Sequence, residues 1–148
     1  MESVGIELFE RVAEVGGCFL KAEQLMESGG DHDPLRGPGY LVTFDVGRIL
    51  VAADPRNACL LIRLIESLDE VASVSLAPLD EEEPWWRIAG NPLTRAWPSE
   101  EGAGATTGEG EIRDLRMQFR GEGDSPRVVF LCYDSGAVRA GLHAASPG

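Results

Sequence analysis

Apolar and polar side chains alternate without interruption over residues 114–120, within a predicted strand at residues 112–120, and this pattern constrains the fold more than any other feature of the chain. Leu115, Met117 and Phe119 fall on one face of an extended segment, because successive side chains of a strand point to opposite sides. A second apolar segment, residues 127–133, follows after a short stretch rich in turn-forming residues. The sequence therefore predicts an antiparallel hairpin with one face in the core.

Other short apolar segments predict further strands joined by tight turns. Residues 40–45 and 48–53 predict a hairpin around Val46 and Gly47. Three more strands are predicted at residues 71–76, 85–89 running through a turn into 93–97, and 137–142, the last as an edge strand. No internal repeat is apparent in the sequence.

The N-terminal segment predicts the clearest helix. Apolar residues recur at helical spacing over residues 3–14, with a serine at the start that can cap and Gly16-Gly17 at the end. Residues 18–27 combine alternation with helix-forming residues, and we assign a strand because it can pair with the hairpin that follows. Residues 58–66 fit a buried strand or a short helix, and the pattern leaves both open.

Many strands with few helices predict an α+β class, in which an antiparallel, curled sheet of about six to seven strands packs against the N-terminal helix. A chain of 148 residues is expected to form a single domain. Residues 1–17 supply the helix and its cap. Loops are predicted at residues 28–39 and 99–110, the second of them mobile, and residues 143–148 are expected to fray.

The net charge of −12 disfavours binding to nucleic acid or to an anionic membrane and suits a basic partner. The chain has no long apolar segment and no signal peptide, so we expect a cytoplasmic protein. Its basic residues are arginines apart from Lys21, a bias typical of GC-rich bacterial genomes. Cys18, Cys59 and Cys132 lack metal-ligand spacing and are predicted to be reduced, buried thiols.

Neither histidine lies in a catalytic pattern. His32 belongs to a predicted loop and His143 to the tail, where an imidazole lacks the support that a catalytic triad requires. Asp31, His32 and Asp33 are metal-capable residue types, but successive residues rarely converge on one ion. We therefore predict no metal, no cofactor and no catalytic residue. Asp45, Asp54 and Asp134 lie at predicted strand ends, which keeps an enzyme using paired carboxylates open as an alternative.

The tandem tryptophans give the best candidate for a binding site. On an extended segment their rings would point to opposite faces, so that Trp86 shares the core face with Ile88 while Trp85 shares the surface with Arg87. The alternative is that both rings are buried. An exposed tryptophan beside an arginine is a common interface anchor. The predicted partner-binding residues are Trp85 and Arg87 with the preceding acidic run, Asp80, Glu81, Glu82 and Glu83.

The segment from Trp86 to Trp97 carries the box W-x-x-x-G-x-x-L-x-x-x-W, and strand-forming segments ending at Phe119 and Leu131 follow it. This pattern resembles a family of small uncharacterised bacterial α+β proteins, although the loop after Trp97 is longer here and lacks an asparagine and an aromatic residue. The resemblance implies a small bacterial α+β domain and implies no activity.

These features lead to one principal hypothesis and two alternatives. The first is a non-enzymatic binding protein, an immunity-type inhibitor of a basic bacterial toxin, by analogy with other small acidic cytosolic proteins. The second is a small carboxylate-using enzyme. The third is a structural or homo-oligomeric accessory protein that pairs through an exposed sheet edge such as residues 137–142.

Overall fold

A computed structural model describes residues 6–26, 36–54, 56, 58–67, 69, 75–79, 85–98, 113–120 and 127–143. Within these segments the chain forms one short α-helix and two antiparallel five-stranded sheets. The predicted α+β class is correct at this coarse level, since a mostly β structure carries a helix near its N-terminus. The prediction of a single curled sheet of about six to seven strands is wrong, because the described residues form ten strands, which divide between two sheets that share one core.

Helix α1 spans Ile6–Glu14. The first sheet has the order β5-β4-β3-β1-β6, with β1 at Phe19–Met26, β3 at Gly39–Phe44, β4 at Gly47–Asp54, β5 at Cys59–Ile65 and β6 at Ser75–Pro78. The second sheet has the order β2-β10-β9-β8-β7, with β2 at Arg36–Gly37, β7 at Leu93–Pro98, β8 at Asp114–Phe119, β9 at Arg127–Asp134 and β10 at Ala137–His143.

The two sheets are built on the same plan. In each, four strands that follow one another in the sheet form an antiparallel meander, β1-β3-β4-β5 in the first and β7-β8-β9-β10 in the second. Phe19 pairs with Phe44 at the start of the first meander, as Leu93 pairs with Phe119 at the start of the second. A bulge follows at the same place in both strands. The chain therefore contains a structural duplication that the sequence analysis did not predict.

We call the segments that contain the two meanders, residues 19–65 and 93–143, the first and second halves of the chain. The two halves meet where their first strands begin. Segments 17–19 and 91–93 exchange two backbone hydrogen bonds, with N···O distances of 2.9 and 3.0 Å, around an isolated antiparallel bridge between Cys18 and Pro92. Just before these segments, Gly16 and Gly90 both take positive φ values, 65° and 82°. This reciprocal pairing gives the junction a local two-fold character.

Aromatic rings join the two halves in a shared core. Phe44 and Phe119, which occupy equivalent positions, stack with ring centroids 6.4 Å apart and planes 13° apart. Phe19 makes edge contacts with both of them. Helix α1 precedes the first half but packs against β7 of the second, while Phe9 from this helix contacts Phe44 at 6.1 Å. Because the contacts cross between the halves, neither core is complete without the other.

Several sequence predictions are confirmed. The hairpin of residues 40–53 is β3 and β4, and the alternating segment pairs with the next strand as β8 and β9. The ambiguous segments 18–27 and 58–66 contain β1 and β5, so the strand alternative is correct for both. Gly16 and Gly17 end α1 as expected, since their N–H groups donate to the carbonyls of Ala13 and Val12.

Other predictions need correction. The predicted loop 28–39 contains β2 and the first residue of β3, and β2 covers β10 at Val138 and Arg139, so the edge strand predicted at residues 137–142 is partly paired. Within the predicted strand 71–76, the structure describes only the start of β6. The predicted mobile loop 99–110 lies outside the described residues, as do the predicted N-cap at Ser3 and residues 144–148 of the tail that was expected to fray. His143, the first residue of that tail, is the last residue of β10 and pairs with Val128. Of the helices in the described segments, none has the length and apolar character needed to cross a bilayer.

Candidate functional site

The tandem tryptophans lie in a 3-10 turn, Trp85–Arg87, and not in a strand. The prediction that Trp86 is core and Trp85 is surface is therefore wrong: Trp85 is 1% exposed and Trp86 is 48% exposed. The physical reason is the backbone geometry. The assignment assumed the two-residue period of a strand, whereas a 3-10 turn has a period of three residues. Trp85 therefore shares its face with Ile88, which is 0% exposed, and Trp86 does not.

Trp85 holds this turn against the first sheet. Its ring stacks on Phe19 with centroids 5.8 Å apart and lies 5.5 Å from the ring of Tyr40. The backbone is fixed as well, because the Ile88 N–H donates to the Trp85 carbonyl at 3.2 Å and the Gly90 N–H donates to the Phe19 carbonyl at 2.7 Å. Trp86 therefore lies on a turn whose backbone is held against the core by these contacts.

The acidic run precedes this turn in the sequence. Asp80, Glu81, Glu82 and Glu83 lie outside the described residues, as does the side chain of Arg87. The residues described on either side of the run, Leu79 and Trp85, are 0% and 1% exposed. The predicted partner site is therefore revised: Trp86 replaces Trp85 as the exposed aromatic residue.

A second candidate surface lies on the outer face of the second sheet. Since Leu115, Met117 and Phe119 are buried, the alternate residues of β8 face away from the core. Paired residues share a face, and the register gives two rows across the sheet. One row is Trp97, Arg116, Phe130 and Gly141, and the other is Asp114, Cys132, Arg139 and Arg36.

Arginines and aromatic rings contact one another on this surface. The guanidinium carbon of Arg95 lies 4.9 Å from the Trp97 ring centroid, and that of Arg139 lies 5.9 Å from the Phe130 ring centroid. A side chain at Gly141 would meet the Phe130 ring, since an added Cβ would lie 2.5 Å from it. We call this surface the arginine face, and it comprises Arg36, Arg95, Arg116, Arg139, Trp97 and Phe130.

The arginine face carries more positive than negative charge. Two aspartates lie beside the arginines: Asp114 pairs with Arg116 at 3.5 Å, and Asp134 pairs with Arg36 at 3.4 Å. Burial raises the pKa of the Cys132 thiol above its ordinary value, an effect that Arg139 opposes. A neutral thiol at this position adds no negative charge to the arginine face.

Sequence reasoning missed this surface because it treated the polar side of the alternating segment as ordinary solvent-facing residues. A signal was present. Arg95 and Trp97 are two residues apart, as are Asp114 and Arg116, so each pair shares a strand face. The sequence predicted the pairing of β8 with β9, but it did not supply the pairing of β7 with β8 or of β9 with β10.

The carboxylates proposed for an alternative enzyme have separate local roles. The Asp45 Oδ1 atom accepts a hydrogen bond from the Cys18 N–H at 3.0 Å, and Asp134 pairs with Arg36. Asp54 ends β4 as Asp134 ends β9. Among the described residues, no group of three or more histidine, cysteine or acidic side chains is placed to hold a metal ion. Asp31, His32 and Asp33 lie outside the described residues.

The three cysteines are free thiols in the structure. Cys59 is buried, as predicted, whereas Cys18 and Cys132 are only partly buried.

The chain matches no protein family, and neither a curated protein nor a solved structure shows significant similarity to it. The family resemblance of the tryptophan box therefore stays a prediction.

Proposed function

We propose that the chain is a non-enzymatic binding protein of the bacterial cytoplasm, which recognises a basic protein as an immunity-type inhibitor recognises a toxin. The observation that carries the proposal is Trp86, which is 48% exposed on a turn whose neighbour, Trp85, is 1% exposed. Large aromatic side chains dominate the binding energy of many interfaces. One held on a rigid backbone loses little conformational freedom when it binds.

Charge supports the basic nature of the partner. The chain has a net charge of −12, and the acidic run Asp80, Glu81, Glu82 and Glu83 is next to the tryptophan pair in the sequence. Opposite charge speeds the encounter of two proteins, while a central aromatic residue mainly slows their separation. The two features therefore predict separate effects on the two rate constants.

The test begins with the immobilised protein and a lysate of its source cells. A basic protein should be retained at low salt and released as the salt concentration rises. With that protein purified, Trp86→Ala should accelerate dissociation about thirtyfold, as expected for an interface hot spot. Replacement of Glu81, Glu82 and Glu83 by glutamine should instead slow association. Both rate constants are measured by surface plasmon resonance.

Leu61→Ala provides the matched control, because Leu61 is 49% exposed on β5, close to the exposure of Trp86. This variant should bind like the wild-type protein. Retention of neutral or acidic proteins alone would contradict the proposal, as would equal losses for Trp86→Ala and Leu61→Ala. Turnover of a small molecule by the purified protein would favour the carboxylate enzyme.

A further inference from the structure

The duplicated fold allows the outer faces of the two sheets to be compared position by position. In the first sheet, one row across the strands is Glu23, Leu41, Leu50 and Arg63. The equivalent row in the second sheet is Trp97, Arg116, Phe130 and Gly141. Leu41 and Leu50 are 0% and 8% exposed and pack with Ile65 in a small apolar cluster. The same backbone positions thus hold an aliphatic cluster in one half and a mixture of cations and rings in the other.

The arginine face has the form of a recognition surface for anions. Arg36, Arg95 and Arg139 are exposed, whereas Trp97 and Phe130 are partly buried beneath or beside them. The five strands that carry these residues span about 19 Å, at the usual spacing between strands. A guanidinium group held against an aromatic ring keeps its N–H groups directed for paired hydrogen bonds to a carboxylate or phosphate.

Two observations favour carboxylates over nucleic acid as the anions. Bases bind to single-strand platforms by stacking on open aromatic faces. Here a guanidinium already lies over each ring, at 4.9 Å on Trp97 and at 5.9 Å on Phe130. In addition, a chain of net charge −12 repels a polyphosphate strand, which carries a charge on every nucleotide, more than it repels a peptide with a few carboxylates.

We propose that the arginine face binds an acidic polypeptide segment, whose carboxylates pair with the arginines on the outer side of the second sheet. This surface is separate from the one around Trp86, and it takes a ligand of the opposite charge. The proposal therefore stands or falls independently of the proposed function.

The test measures fluorescence anisotropy of a fluorescein-labelled peptide that carries a few glutamates among glycine and serine residues, at low salt, with an oligothymidylate of the same number of residues as the competing ligand. The wild-type protein should bind the peptide more tightly than the oligonucleotide. The double variant Arg95→Gln/Arg139→Gln should weaken peptide binding about tenfold, as expected for the loss of two exposed ion pairs. Its melting temperature should stay near the wild-type value, which would show that the loss does not arise from unfolding.

Lys21→Gln/Arg63→Gln is the matched control. It removes the same charge from the outer face of the first sheet, where Lys21 occupies the position equivalent to Arg95. This variant should bind the peptide like the wild-type protein. Equal weakening by the two double variants would overturn the proposal, because binding would then follow total charge. Absence of peptide binding by the wild-type protein would overturn it, and so would tighter binding of the oligonucleotide.

Discussion

The four-stranded meanders of the first and second halves share strand order, register and bulge position, yet their outer surfaces differ in chemistry. Leu41 and Leu50 lie side by side on β3 and β4, while Arg116 and Phe130 lie at the same positions on β8 and β9. The inner faces show no such contrast, since both are apolar and belong to one core. The two meanders therefore share apolar inner faces, whereas their outer faces carry different chemistry.

The segments that precede the two halves differ in length, but each packs against the first strand of the other half. A nine-residue helix precedes β1, and a three-residue 3-10 turn precedes β7. The helix packs on β7, and Trp85 from the turn stacks on Phe19 in β1. One large indole thus fills on one side the role that a helix fills on the other. The 3-10 turn also carries a second tryptophan, Trp86, which lies at the surface.

The strongest test of the comparison uses the two stacked phenylalanines. Phe44 and Phe119 are 2% and 0% exposed, so replacement of either by alanine should lower the free energy of unfolding by about 3–5 kcal/mol, because a large ring leaves a cavity. The double variant should lose less than the sum, since each ring is a neighbour of the other. Urea denaturation measures all three. Strictly additive losses would show that the two halves pack independently.

Replacement of the glycines that precede the first strand of each half should destabilise the protein less than the phenylalanine substitutions. Gly16 and Gly90 have positive φ values and no atom within 4 Å of an added Cβ, so alanine at either position adds backbone strain without a clash. Each substitution should cost about 1 kcal/mol. Gly136 in the turn before β10, also with positive φ and open space, is a suitable control for the size of this strain. Thermal denaturation that showed a loss at only one of the first two positions would break the equivalence of the halves.

Much of the strand content was predictable because it depends on local pattern. The alternation around Met117 and the turn at Val46 specify strands and a hairpin through contacts between near neighbours. The duplication was not predictable in the same way. Equivalent positions such as Leu41 and Arg116 share a register but not a residue type, so the repeat lies in strand pairing and leaves little trace in the sequence.

The residues of the proposed binding surfaces were predicted only in part. The sequence identified the tryptophan pair, but whether Trp85 or Trp86 is buried depends on the local backbone period. That period became three because the segment ends in a turn bonded to Phe19, a contact distant in sequence. The arginine face depends likewise on the pairing of β7, β8, β9 and β10, which no single segment encodes.

The smallest predicted effect concerns a contact that the halves do not share. The N–H groups of Asp45 and Arg120 donate to the carbonyls of Cys18 and Pro92, so the backbone contact is present in both halves. Only the first half adds a side-chain bond, from the Cys18 N–H to Asp45 Oδ1 at 3.0 Å. Asp45→Ala should therefore cost about 0.5–1 kcal/mol, the net value of one hydrogen bond. Arg120→Ala, at the equivalent position, should change the unfolding free energy by less than about 0.5 kcal/mol, as is usual for an exposed residue. Equal losses in urea denaturation would show that position 45 acts through its backbone alone.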